Sequence, residues 1–196
     1  MIVTAEEVNR SFRGTLELLH NRVEGLRAFD MSERGFWHSF EAILLTLPAF
    51  IVSLALERLR LGFRLAESSL FDSVWIDLVV GLGHVASFIA LPVAMIWLSR
   101  ALGLTSRYVP FVIVMNWISV AGMLVMSMPA LLLLIGWAPP PLAGLFTLAF
   151  FVIVVRAQWF ATKMTLGVPN ILALAIVSLG LVLNLLIGAG MRALLA

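Results

Sequence analysis

The chain has 196 residues, of which 62% are hydrophobic and only 12% charged, whereas about a quarter of a soluble domain is charged; a water-soluble globule is excluded and a membrane protein is implied. Its formal net charge of +2 and the lack of any RNA- or DNA-binding motif exclude nucleic acid as a partner. With no cysteine, disulfides, thiol nucleophiles and thiolate metal sites are excluded as well.

The first 34 residues read as a polar arm, and 35–196 as one membrane domain. The arm lacks the apolar centre of a cleavable signal, so the first span is expected to direct insertion itself. Thr4-Ala5-Glu6-Glu7 has the spacing of a capping box. Val8, Phe12, Leu16, Leu19, Val23 and Leu26 follow at steps of three or four, which predicts one stripe of an amphipathic helix. Glu6, Glu7, Arg10, Arg13, Glu17, Arg22, Glu24 and Arg27 fall largely off it. Such a helix can lie on the bilayer, bind a partner or pack on the protein's own membrane core.

Apolar runs at about 36–56, 74–98, 108–135, 141–166 and 169–192 are each long enough to cross a hydrocarbon layer of about 30 Å. The expected fold is therefore an all-α polytopic bundle, with five transmembrane helices preceded by an amphipathic helix. Breaks at Gly136 to Pro141 and Gly167-Val168-Pro169 combine residues that stop a helix with a Pro suited to the next first turn. Glu57 to Ser73, with Leu59, Leu61, Phe63 and Leu65 among three arginines, reads as a second interfacial piece.

Basic residues cluster on one side of this topology: Arg10, Arg13, Arg22, Arg27, Arg34, Arg100, Arg107 and Lys163. The other side has Arg58, Arg60, Arg64 and Arg192. The positive-inside rule then predicts a cytoplasmic N-terminus and an external C-terminus. Trp37, Trp97, Tyr108 and Trp159 fall at the inner boundary, and Trp75 and Trp137 at the outer one, as an aromatic belt requires. A compact, cysteine-free chain of this kind suits a bacterial inner (cytoplasmic) membrane.

Ionisable groups at membrane depth need partners. At 1.5 Å per residue, Glu41 lies about 9 Å into the first span, Asn116 about 12 Å into the third and Arg156 about 15 Å before the end of the fourth. Matched depth and opposite sign predict a Glu41–Arg156 ion pair, with Asn116 and Gln158 completing the hydrogen bonding. The alternative is that Arg156 extends to lipid phosphates, with Trp159 and Lys163 as further anchors. Asp77 and His84 share a face of the second span, an order that suits a proton or ion pathway; the alternative is that each is satisfied by a neighbouring helix. Gly81-Leu82-Gly83 is read as helix packing, because the strand of a phosphate-binding loop is missing. Gly180, Asn184 and Gly188 form a small-residue face, with Asn184 able to bond across to a neighbour. Pro48, Pro92 and Pro129 are expected to bend their helices. His20, His38 and His84 lie in separate segments and give no metal spacing.

The segments "YVPFVIVMNW…MPALLLLIGW" and "FFVIVVRAQWFATKMTLGVP" resemble the bacterial members of the Yip family, small five-span membrane proteins named for Rab-interacting proteins of eukaryotes. The resemblance covers about Tyr108 to Asn184 and rests on Pro110, Pro129, Gly136, Gly167 and Pro169 at span ends; Arg156 and Lys163 depart from it. It implies a cytoplasmic N-terminal segment and a role in membrane organisation or partner binding. No paired carboxylates, metal motif or nucleophile motif suggests an enzyme, and no cofactor is expected. The competing expectation is a small proton- or ion-coupled transporter or channel. Expected partners are the lipid bilayer, a protein bound through the arm or spans, or a second copy of the chain.

Overall fold

The structure is a computed structural model that describes residues 3–60 and 70–195, without the side chains of 70–73. Most of the interfacial piece expected over 57–73 therefore lies outside the described residues. Seven α-helices follow in order: α1 (Ala5–Leu19), α2 (Glu33–Glu41), α3 (Leu47–Arg60), α4 (Leu70–Ala101), α5 (Tyr108–Leu134), α6 (Pro140–Leu166) and α7 (Asn170–Leu195). No strand occurs among the described residues. Among the described residues five stretches are long and apolar enough to cross a membrane, and α2 and α3 together form the first of them. The protein is thus a helical integral membrane protein, and the arm and the end of α7 lie at opposite ends of its bundle.

Trp75 and Trp97 on α4, and Trp137 and Trp159 at and on α6, are each 22 residues apart, or about 33 Å along a helix. These two pairs frame a slab of bilayer thickness, as aromatic belts do. The packed core does not fill that slab evenly. On α6 the buried side chains are Ala157, Phe160, Ala161, Thr162, Thr165 and Leu166 near its C-terminal end, with only Ala143 elsewhere. On α5 every residue from Phe111 to Ile118 is buried. Thr162 Oγ1 approaches Met115 Sδ at 3.7 Å, and a Cβ on Gly122 would meet Val154 Cγ1 at 3.1 Å. That register places the level of Trp159 beside Trp117 and Ile118, so the sealed stretch of α5 lies at and beyond the belt marked by Trp97 and Trp159.

The arm supplies part of the seal. Thr4 caps α1 by accepting from Glu7 N–H at 3.3 Å. The face that α1 buries is Glu7, Ser11, Gly14, Thr15 and Leu18, which is rotated from the expected stripe. Val8, Phe12, Leu19 and Leu26 pack on the edge of the core, and Phe12 meets Trp117 edge-on at 6.2 Å. Leu16 and Val23 stay 54% and 44% exposed. Small residues explain the rotation, because they let the arm fold back on itself. A Cβ on Gly25 would stand 2.6 Å from Gly14 O, and one on Gly14 would stand 2.8 Å from Gly25 O. The expected single helix through Leu26 is accordingly broken: α1 ends at Leu19, Asn21 takes a positive φ of 59°, and Val23–Ala28 is a separate 3-10 turn.

The first span is broken too, by a 3-10 segment over Ala42–Thr46. Pro48 has no N–H to continue the ladder and sits in the first turn of α3, where that loss is tolerated. Between spans, small residues set the spacing, because lipid offers no hydrophobic drive for helix association. A Cβ on Gly83 would overlap Met191 Sδ on α7, and Gly180 sits against Leu91 on α4. Asn184 does not bond across as expected; its Nδ2 donates to Gly180 O of its own helix at 2.9 Å. A Cβ on Gly188 would meet, among the described residues, the Arg192 side chain of the same helix at 3.9 Å.

Gly167 closes α6 at φ 62°, and Arg107 Nη1 lies 2.2 Å from where its Cβ would be. This brings a cation to the carbonyl end of α6, where the helix dipole favours it. Gly167→Ala is expected to cost about 1–2 kcal/mol from the left-handed backbone and to displace Arg107, lowering the thermal unfolding midpoint in detergent. Gly25→Val is expected to detach the arm, seen as new trypsin cleavage at Arg13 while the spans stay folded.

Candidate polar sites

Where α1, α2 and α5 meet, the structure builds a buried polar clamp. His38 Nδ1 and Glu7 Oε2 are 2.8 Å apart, with side chains 3% and 9% exposed. A carboxylate only accepts, so Nδ1–H is the donor. His38 Nε2 and Ser11 Oγ are buried without a hydrogen-bond partner among the described residues. One residue along α2, Ser39 Oγ donates to Phe36 O at 2.7 Å and accepts from Asn116 Nδ2 at 3.0 Å. Thr15 Oγ1 donates to Ser11 O at 3.0 Å. These contacts join the arm to the first span and the first span to α5.

The clamp was not legible from sequence. Glu7 occupies the third position of a capping box, where its carboxylate is expected to turn back to the helix start. Thr4 does its half of that motif, whereas Glu7 reaches His38 instead. Ser11, Gly14, Thr15 and Leu18, recurring at helical spacing with Glu7, are the signal that could have shown which face is covered.

The expected pairing of Glu41 with Arg156 does not form among the described residues. Glu41 lines a cleft on α2 with Glu33, Arg34 and Trp37, whereas Arg156 is exposed on α6 beside Trp159 and Asn170. Equal depth does not fix azimuth, and the two helices turn these side chains to different sides. Asn116 joins Ser39 rather than Arg156. Gln158, half-buried on α6, is not brought to the others.

A second polar centre lies between the broken first span and α4. His84 Nε2 is 2.7 Å from Thr46 Oγ1, whose single proton is directed at Ile43 O, 2.6 Å away. The hydroxyl therefore accepts, and His84 carries its proton on Nε2. Phe50 packs edge-on against the imidazole at 5.4 Å. Asp77, two turns away on α4, is ion-paired with Arg58. Asp77 and His84 face the same apolar cleft, and each is held by a residue of the first span rather than by the other. Among the described residues no three His, Asp or Glu side chains converge to hold a metal.

Outside the spans, Asp30 precedes α2. Hydrogen bonding from the Ser32 side chain and from Ser32 N–H, the latter at 3.0 Å, holds its carboxyl below the usual carboxylate range, with Arg10 of the arm and Arg34 adding to the effect. Ser32 in turn caps α2 by accepting from Gly35 N–H at 3.2 Å.

The chain matches no protein-family model, and neither a curated protein nor a solved structure matches it.

Removing one partner of a buried pair strands the other. Glu7→Ala and His38→Ala are each expected to cost about 3–5 kcal/mol. The double variant is expected to fall short of the sum by about 1–3 kcal/mol in a denaturation cycle. Asp30, whose folded pKa is lowered, contributes stability above about pH 4 that is lost as pH falls through its folded value. Asp30→Asn is expected to flatten that acid limb of the unfolding curve.

Proposed function

We propose that the protein is a non-enzymatic membrane-organising or docking protein of the bacterial inner membrane, Yip-like in kind, with its N-terminal side in the cytoplasm. The observation that carries this is the clamp. Buried Glu7 and His38 fix α1 on the bundle, so the opposite face of the arm is a rigid surface at the membrane. That face presents Glu6, Asn9, Arg10 and Arg13 around a shallow cleft closed by Ala28. A preorganised charged face loses little entropy on binding, which suits recognition of a partner. The orientation is supported by the arm-side excess of Arg and Lys, read through the positive-inside rule.

A second reading, a small proton- or ion-coupled transporter, is favoured by one observation. The first span is broken at the level where Thr46 meets His84, and interrupted helices build transporter sites.

Two experiments separate these. The absence of native cysteine allows single-cysteine labelling in intact cells. A membrane-impermeant maleimide is expected to modify Arg192→Cys at once and Glu6→Cys only after permeabilisation; the reverse pattern contradicts the orientation. In mild-detergent purification, docking predicts a stoichiometric protein partner that is lost with Glu6→Lys/Arg13→Glu and kept with His84→Ala. Transport predicts a specific solute that raises the unfolding temperature, an effect abolished by His84→Ala and untouched by the arm variant.

A further inference from the structure

The outer face of α6 and α7 carries a groove whose walls are apolar and whose inner end is cationic. Phe151, Val152 and Val155 from α6 face Ile171 and Leu174 from α7. Four of these five are among the exposed large hydrophobic residues of the protein, Ile171 being 83% and Leu174 55% exposed. At the inner end stand Arg156, Trp159 and Asn170. The Trp159 indole N–H is directed at Asn170 O, 3.4 Å away, which ties the ring to the start of α7. Lys163 lies over the same ring, 5.8 Å from its centroid. No acidic side chain lines the groove, and Arg156 has no ion-pair partner among the described residues.

We infer that this groove is a binding site for one anionic glycerophospholipid of the inner leaflet, with its phosphate on Arg156 and one acyl chain laid between α6 and α7. Three observations select that occupant. The groove starts at the aromatic belt and runs from Trp159 to Phe151, about 12 Å along the helix, against about 15 Å for half of a 30 Å hydrocarbon core. A guanidinium without a carboxylate partner is suited to bidentate contact with a phosphate. Lys163, on the same face of α6, places a second cation within headgroup reach and favours a net-negative lipid over a zwitterionic one. A lipid already holds its phosphate at the belt and its acyl chain below it, whereas a peptide or a second copy of the chain would have to bring both an anion and an apolar segment to those two levels.

The test is native mass spectrometry of the full chain in detergent, titrated with phosphatidylglycerol or with phosphatidylcholine of the same acyl chains. The expected result is one retained phosphatidylglycerol adduct, bound at least about fivefold more tightly than phosphatidylcholine. Arg156→Gln is expected to remove that preference and Arg156→Lys to restore part of it. Leu174→Trp, which fills the groove, is expected to abolish the adduct without shifting the unfolding temperature, and Arg192→Gln at the far end is expected to leave it unchanged. Glycerol phosphate at millimolar concentration is expected not to displace the lipid, because it lacks the chain that the groove holds. Equal binding of the two lipids, an adduct indifferent to Arg156→Gln, or loss with Arg156→Gln but not with Leu174→Trp would each overturn the site. Because none of these readouts involves the arm, failure here is distinct from failure of the docking reading.

Discussion

Eight consecutive residues of α5, Phe111 to Ile118, are sealed all the way round, and covering them is the task that the neighbouring elements share. A transmembrane helix ordinarily leaves part of its surface to lipid. Here the sealed turns lie level with the belt of Trp97 and Trp159, the level at which lipid gives way to headgroups and water, so bare apolar side chains would face a polar medium. The hydrophobic effect therefore acts on this end of the bundle as it does in a soluble domain, with a fully buried side chain the size of Leu18 or Phe111 contributing about 1.5–3 kcal/mol. Deeper in the slab that drive is missing, and contact depends on close approach at Gly83, Gly122 and Gly180.

This division of labour explains the character of the arm. Apart from Leu18, the face that α1 buries is polar or small, because the backbone has to come close to α5 and α6 and also fold back through Gly14 and Gly25. Of the polar groups carried into that contact, Glu7 is met by His38 and Thr15 by the Ser11 carbonyl, while Ser39 and Asn116 satisfy each other between α2 and α5. Removing one member of such a pair costs more than the intact pair adds to stability. The exposed Leu16 and Val23 remain available to the interface, so covering the core and touching the membrane are compatible roles for one short helix.

Much of the architecture was legible in the residues. The five spans, the breaks at Gly136 and Gly167, and the aromatic belts depend on composition along the chain, which a sequence displays directly. The phase of α1 was not, because hydrophobicity favoured Val8–Leu16–Val23 while the packing was decided by Ser11, Gly14 and Thr15, whose value lies in their small size. The polar sites failed for a related reason. Depth can be counted from a span end, but Glu41 and Arg156 differ in azimuth, and azimuth depends on how helices rotate against each other. Asp77 and His84 do share a face, as the spacing required. Their partners, Arg58 and Thr46, could not be read because the break at Ala42–Thr46 sets how the first span meets α4.

Residues 5–28 are a structural part of the bundle, clamped over α5 by Glu7 and His38. Hydrogen–deuterium exchange of the full chain in lipid nanodiscs tests this most directly. Amides of 8–19 are expected to exchange as slowly as those of the sealed stretch of α5, and Glu7→Ala is expected to speed both together. Amides of 8–19 exchanging at the rate of an unstructured peptide, with α5 still protected, would contradict it.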